Sequence, residues 1–334
     1  MIPNQWYALL ESKQIARHRP VGVTRMGERM VFWRDAQGKA ACAVDHCPHR
    51  GVALSAGKLH GDGLECPFHG FQFDASGRCT HIPAIGQEAE IPQVFRLRTY
   101  PVVEKHSLVY VWWGESRTEY PPLPEFDFMN DRRYVYTTIR DRWKTHYSRA
   151  IENQLDVVHL PFVHNNTIGR GGKTLVNGPR YRVSEHPGGM DQLEFWFDNE
   201  IDRGQRPLKP NEMPPTDSHA LIQFRFPNLW HNWLGDTFHL FIAFAPVDGE
   251  NTLLYLRMYH TVRMPLVRQV FELFGNVGNF YIERQDRRVV VTQYPLRTEL
   301  RMGEKLIPGD APIIEYRRRR QKIIEENNRD TGQG

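Results

Sequence analysis

Residues 47–70, CPHRGVALSAGKLHGDGLECPFHG, decide how this chain is read. Cys47 and His49 make a Cys-x-His pair, Cys66 and His69 a Cys-x-x-His pair, and sixteen residues lie between the two pairs. Two thiolates suit one iron of a [2Fe–2S] cluster and two neutral imidazoles suit the other, and exchanging negative ligands for neutral ones raises the reduction potential. The spacing therefore predicts electron transfer. Zinc accepts the same ligand types, but zinc modules usually pair like with like, whereas each arm here supplies one Cys and one His. Each arm also closes on a turn, Cys47-Pro48-His49-Arg50-Gly51 and Cys66-Pro67-Phe68-His69-Gly70, in which Pro fixes φ and Gly lets the backbone come close to a cluster.

Outward from these turns, residues 1 to about 115 read as β-rich. Short apolar runs such as Met30–Trp33 and Leu108–Trp113 are bounded by Gly, Asp and Pro, and Asp74-Ala75-Ser76-Gly77 reads as a hairpin turn just after the second ligand pair. Glu119-Tyr120-Pro121-Pro122-Leu123-Pro124-Glu125 suits neither a helix nor a central strand. The domain organisation expected is thus 1–118, a Pro-rich linker over 119–130, and a second domain over 131–334. That second domain mixes strand-like runs at Ala220–Phe226, Phe238–Phe244 and Leu253–Tyr259 with a charged helix closing the chain from about Pro312 to Asn327. The fold class expected is α+β, an all-β domain followed by an α+β domain.

A second constellation lies in Glu152-Asn153-Gln154-Leu155-Asp156-Val157-Val158-His159-Leu160-Pro161-Phe162-Val163-His164. On a helix, Asn153, Asp156 and His159 would share one face, and Pro161 would bend or end that helix so that His164 swings back beside His159. Two imidazoles and one carboxylate on one face of an octahedron leave positions open for dioxygen and substrate, as in non-haem Fe(II) oxygenases. The carboxylate expected is Asp286, at the start of a helix, with Glu283 the nearest rival.

Together the two patterns resemble the α subunit of Rieske non-haem iron oxygenases, the ring-hydroxylating and demethylating family, over nearly the whole chain. Val52 and Phe68 stand where respiratory Rieske proteins carry a disulfide, so the likeness is to the ferredoxin and oxygenase type. The family's Asn-x-x-Asp-x-x-His-x-x-x-x-His motif falls on Asn153, Asp156, His159 and His164, and its late carboxylate on Asp286. The resemblance implies a helix-grip-like catalytic domain, with a central antiparallel sheet flanked by helices. It implies a cluster held by Cys47, His49, Cys66 and His69, and a mononuclear Fe(II) held by His159, His164 and Asp286. Asp156 would be a bridging carboxylate to His159 and, across a subunit interface, to His69. By the same resemblance, dioxygen is the co-substrate, and electrons come from NAD(P)H through a separate flavin reductase, a ferredoxin, or both. The short chain is similar to the homotrimeric members that hydroxylate or demethylate small aromatic compounds, while a cis-dihydroxylating dioxygenase shares the fold. A pure Rieske electron carrier would leave the downstream histidines without a purpose.

Composition agrees with a two-domain enzyme. At 334 residues, a net charge of +4 and 25% charged residues, nothing calls for nucleic acid or an anionic membrane. The run Arg317–Arg320 reads as a solvated helix face. No signal-peptide pattern opens the chain and no apolar run suits a bilayer, so a cytoplasmic location is expected. Cys42 and Cys79 read as buried small hydrophobes, and Arg50, Lys58 and Arg78 as surface charges that an acidic redox partner could meet. The aromatics of the strands at 222–226 and 238–244, and the Gly-rich loop Thr167–Thr174, could line a pocket, though alternating strand aromatics read first as core; His231, His239 and His260 are pocket candidates with no signal above background, and no Gly-x-Gly-x-x-Gly element offers a nicotinamide site.

Overall fold

The computed structural model describes residues 1–185, 191–214 and 222–330. The chain divides into two compact units, one formed by Trp6–Thr118 with Pro246–Asp248, the other by Met1–Gln5, Glu119–Ala245 and Gly249–Gly334.

The first unit is built from short antiparallel strands: β1 (Gln5–Glu11), β2 (Val21–Arg25), β3 (Glu28–Arg34), β4 (Ala40–Val44), β5 (Lys58–His60), β6 (Gly63–Glu65), β7 (Gln72–Phe73), β8 (Cys79–His81), β9 (Thr99–Tyr100), β10 (Val102–Lys105) and β11 (Leu108–Trp113). They make sheets ordered β1-β11-β10, β2-β3-β4-β9 and β5-β6-β7-β8. Val31, Trp33, Leu54, Leu64, Phe71, Phe73 and Leu97 pack with Cys47 and Cys66 into one apolar cluster, so the two ligand-bearing cysteines are anchored from below. Cys42 and Cys79 are buried thiols, as expected.

The second unit is a seven-stranded sheet with helices. Its strands are β12 (Val135–Trp143), β13 (Leu175–Ser184), β14 (Gln192–Glu200), β15 (Ile222–Arg225), β16 (Leu229–Trp233), β17 (Phe238–Pro246) and β18 (Thr252–His260), in the order β12-β18-β17-β16-β15-β14-β13. Ala220 and Leu221 of the anticipated third run lie outside the described residues. The helices are α1 (Tyr147–Leu155), α2 (Leu160–Val163), α3 (Pro265–Val290) and α4 (Ala311–Asp330).

Register assigns the faces. Phe224 opposes Trp230, and Trp230 opposes Ile242. Phe224 meets Tyr316 of α4 edge to face at 5.4 Å, and Trp230 donates Nε1–H to the carbonyl of Gln154 in α1 at 3.0 Å. Helices therefore cover that face. Alternate residues point the other way: Gln223, His231, His239 and Phe241 lie under Phe126 and Phe128 of the segment read as a linker, which buries Phe126 and Met129.

One sequence reading is overturned here. Arg317 and Arg320 are 4% exposed and do not form a solvated face. Arg317 grips Glu152 of α1 at 2.8 and 2.6 Å and Glu304 at 2.6 Å, while Arg320 donates to the carbonyl of Thr298 at 2.6 Å. The partners lie far away in sequence, so periodicity alone could not reveal them.

His146 caps α1. Its Nδ1 accepts from the Ser148 amide at 3.3 Å and lies 2.8 Å from Ser148 Oγ. Burial, with Arg320, the chain's amino terminus and Arg297 nearby, depresses its pKa to about 3. The unfolded chain takes up a proton below about 6.5 that the folded one refuses. Stability present above pH 6.5 is therefore expected to fall as pH drops towards 3, by at most about 1.4 kcal/mol per pH unit from this group. Urea midpoints measured across pH 4–7 check this: His146→Gln should flatten the profile, and an unchanged slope would remove His146 from the account.

Candidate functional site

The two turns of the first unit are built alike. The Cys47 amide donates to the Val52 carbonyl and Gly51 N–H to the Cys47 carbonyl, both at 2.8 Å; the Cys66 amide donates to the Phe71 carbonyl at 2.8 Å and Gly70 N–H to the Cys66 carbonyl at 3.1 Å. Gly51 and Gly70 sit at φ +73° and +71°, in the left-handed region where a side chain would be strained. The result is two matched hooks. Cys47 and Cys66 are buried, His49 is exposed and His69 half-buried, and their Nδ1 atoms lie 3.2 Å apart. Burial pushes the Cys47 thiol up to about 11, with the Cys66 thiol beside it raising it further. A buried pair of sulfurs and a facing pair of imidazole nitrogens fit a [2Fe–2S] group in donor type and in arrangement.

Around these hooks Lys58 pairs with Glu65 at 2.9 Å, Arg78 with Asp74 at 3.4 Å, and Arg50 lies over the Phe68 ring at 5.5 Å. The cations named as docking candidates thus already have local partners.

In the second unit His159, His164 and Asp286 each offer one ligand atom, and the three atoms lie within 4.8 Å of one another. Asp286 Oδ1 is 3.3 Å from His159 Nε2 and 3.0 Å from His164 Nε2. The path to this geometry differs from the one expected. Helix α1 stops at Leu155, so Asp156 and His159 are not on it; Asp156 is its C-cap and His159 the N-cap of the four-residue α2. Pro161 is the second residue of α2, in the first turn where its missing N–H costs nothing, and does not end the preceding helix. Likewise Asp286 falls in the last turns of α3, not at a helix start. After His164 the chain folds back so tightly that a Cβ on Gly169 would stand 1.9 Å from the Leu160 carbonyl oxygen, so only Gly fits there.

Asp156 accepts from the amides of Val158 at 2.6 Å and His159 at 3.2 Å, and its Oδ1 stands 3.7 Å from His159 Nδ1, a charge contact without a hydrogen bond. Burial disfavours charge on His159, yet Asp156 and Asp286 outweigh it and hold the ring up to about 9. Burial would raise Asp286, but the two histidines hold it down to about 2. Among the described residues, neither His159 Nδ1 nor Asp286 Oδ1 has a hydrogen-bond partner. Two imidazoles and an ionised carboxylate with unsatisfied atoms suit a divalent cation of the Fe(II) type. Asn153 is present beside them in sequence on α1, its buried Nδ2 without a hydrogen-bond partner. Glu283, the rival carboxylate, does not join the group. It is 4% exposed, neither oxygen is hydrogen-bonded, and burial, together with Asp141 and Asp286, pushes its pKa well up.

A groove of about 770 Å³ runs along α3, lined by Phe238, Met258, Val270, Phe271, Phe274 and Ile282, the last one turn before Asp286. Of the aromatics weighed as pocket or core, Phe224, Phe226, Phe241 and Phe244 are fully buried core and Phe238 faces the groove. His231 and His239 belong to a hydrogen-bonded chain on the sheet's other face, Gln223 to His231 at 2.8 Å, His231 to His239 at 2.9 Å and His239 to Tyr134 at 2.9 Å. Sequence reasoning missed Gln285, Asn166 and Thr167, which surround His164; their only signal was adjacency to the ligands.

Comparison with known proteins bears on both units. Residues 5–101 match the Rieske [2Fe-2S] domain, and residues 143–326 match the vanillate O-demethylase oxygenase C-terminal domain. The chain is 26% identical over 328 residues to the protein TIC 55, chloroplastic, of Arabidopsis thaliana, covering 96% of this chain but 59% of that protein. It is 23% identical over 338 residues to the oxygenase component of dicamba O-demethylase from Stenotrophomonas maltophilia, covering 98% and 91%. Among solved structures, NdmA of Pseudomonas putida CBB5 superposes with a TM-score of 0.77 at 19% identity over 98% of this chain and 92% of that one. Dicamba monooxygenase bound to dicamba superposes at 0.68 with 18% identity, over 98% of each chain. At these identities the structural likeness speaks for the fold. Among the described residues no helix is long and apolar enough to cross a membrane.

Proposed function

Because this chain belongs to the Rieske oxygenases that carry the vanillate O-demethylase type of C-terminal domain, we propose that it is a terminal oxygenase component acting on a small aromatic substrate by oxidative O- or N-demethylation or by hydroxylation. The observation that carries this reading is the convergence of His159, His164 and Asp286 within 4.8 Å in a chain that also holds the paired Cys and His hooks. Residues 1–118 would serve electron transfer and 131–334 oxygenation, with 119–130 between them.

When bound, the cluster supplies single electrons and the ferrous ion supplies the centre at which dioxygen reacts. Cys47 and Cys66 would hold one cluster iron, His49 and His69 the other, and the apolar packing behind the sulfurs keeps that end dry. Asp286 brings the only carboxylate charge to the mononuclear site among the three ligands, while Asp156 fixes the loop that presents His159 through two amide hydrogen bonds. The groove along α3 offers an uncharged, aromatic-lined bed for an apolar ring. In a homotrimer of the kind the family resemblance implies, Asp156 would also reach His69 of a neighbouring copy. Electrons would come from NAD(P)H through a flavin reductase or ferredoxin.

Demethylation inserts one oxygen atom into a methyl C–H bond, and the resulting hydroxymethyl group leaves as formaldehyde; the other atom leaves as water with two electrons and two protons delivered from outside the chain. The test is turnover of methoxyaryl, methylamine and aromatic-acid compounds with labelled dioxygen and a surrogate reductase. One labelled atom incorporated, or formaldehyde released, supports the reading. Two labelled atoms in a dihydrodiol would replace it with dihydroxylation, and cluster reoxidation with no product from any class would reduce the chain to an electron carrier.

A further inference from the structure

We propose that Gln285 is a positioning residue for the mononuclear centre: its carboxamide fixes the His164 tautomer that offers Nε2 to the metal and ties the His164 turn to the helix that carries Asp286. This rests on the metal reading above and adds a residue to it.

The side-chain amide turns its nitrogen to Asn166 and its oxygen to His164. Gln285 Nε2 donates to Asn166 Oδ1 at 2.6 Å. Asn166 Nδ2 in turn donates to Tyr281 Oη at 3.2 Å. Thr167 Oγ1 lies 2.8 Å from Gln285 Oε1, on the same oxygen end. Gln285 Oε1 is then 2.9 Å from His164 Nδ1. An acceptor at that distance requires a proton on Nδ1, so the neutral ring presents its lone pair at Nε2. That lone pair faces Asp286 Oδ1 at 3.0 Å. Two lone pairs so close call for a cation between them, the place a divalent metal would take.

The two ligand histidines are therefore supported differently. His159 Nδ1 looks towards the carboxylate of Asp156 at 3.7 Å, whereas His164 Nδ1 is bonded to a neutral amide. An amide at 285 orients the ring without adding another negative charge beside Asp286 and Asp156. Because Gln285 adjoins Asp286 in the chain, one stretch of α3 supplies a ligand and aims another.

Fe(II) titrated anaerobically into the full chain with its cluster already loaded, read by iron retention and by the electron paramagnetic resonance of the ferrous–nitric oxide adduct, tests this. Gln285→Leu should weaken Fe(II) retention about 10–100-fold, the range for losing a group that orients a ligand, and change the adduct's spectrum while the cluster signal stays as it was. Gln285→Glu keeps an acceptor for His164 and should recover most of the affinity. Wild-type retention and spectrum in Gln285→Leu would overturn the proposal, as would a Glu variant no better than the Leu one. Should Gln285→Leu fail to fold, Thr167→Val, which removes one donor that aims Oε1, should give a smaller loss in the same direction, and no loss would count against it. A wild-type chain that retained no Fe(II) would instead sink the metal reading itself.

Discussion

Asp286→Asn is expected to abolish product formation and to lower the iron content by one atom per chain, while the reduced cluster keeps its resonance. The substitution is nearly isosteric, so packing in the last turns of α3 is preserved and the charge alone is removed. That charge is what the site is built around. Asp286 is 4% exposed, and the two imidazoles 3.3 and 3.0 Å away hold its pKa down to about 2. Its carboxylate is the one anionic donor among the three proposed ligands, and burial leaves its attraction for a cation weakly screened. An amide oxygen in its place leaves two neutral nitrogens and no anion, a donor set poor in affinity for Fe(II). Iron analysis, electron paramagnetic resonance and product chromatography on the same preparation check the three parts separately. Turnover retained at the wild-type rate would place the reactive iron elsewhere.

Glu152→Ala is expected to destabilise the second unit by about 3–5 kcal/mol, the usual cost of stranding a buried charge. Glu152, Arg317 and Arg149 are 5%, 4% and 2% exposed, and Glu304 closes the network by accepting from Arg317 at 2.6 Å and Arg149 at 2.7 Å. Removing Glu152 strips Arg317 of the bidentate contact at 2.8 and 2.6 Å and leaves two guanidinium groups facing one partly exposed carboxylate. Glu152→Met combined with Arg317→Met should cost less than Glu152→Ala alone, because no charge is then left without its counterpart. Denaturant unfolding followed by a probe in each unit separates the two transitions, as a chain of two units need not unfold in one step. A double variant as unstable as the sum of the singles would mean that the pair is not coupled.

The sequence made some of this visible and hid the rest for physical reasons. The cluster hooks were legible because their chemistry needs particular residue types inside tight turns, where spacing and geometry are nearly the same thing. Strands announced themselves through the runs at 238–244 and 253–259, which became β17 and β18, while their antiparallel sheet was implied by the resemblance. The two histidines proposed as metal ligands were legible as residues, but the route to them was not. Nothing in the 3.6-residue period says that α1 stops at Leu155, because an Asp that bonds the amides of Val158 and His159 competes with helix continuation only once the turn exists. Arg317 looked solvent-facing since its partner Glu152 lies 165 residues away. Gln285 carried no pattern of its own, and its meaning depends on where His164, Asn166 and Thr167 come to rest.

The ligand sets also differ in how far along the polypeptide they are strung. All four cluster ligands fall between positions 47 and 69, so they can meet as soon as the first unit closes its hairpins, with little loop entropy to overcome. The mononuclear set waits for Asp286, more than a hundred residues beyond His164, and for β12 to find β18, whose register joins Val135 to His260. Such distant pairings form late. During synthesis the four proposed cluster ligands would therefore be in place early, whereas the three residues proposed for the mononuclear ion would come together only once α3 has been made.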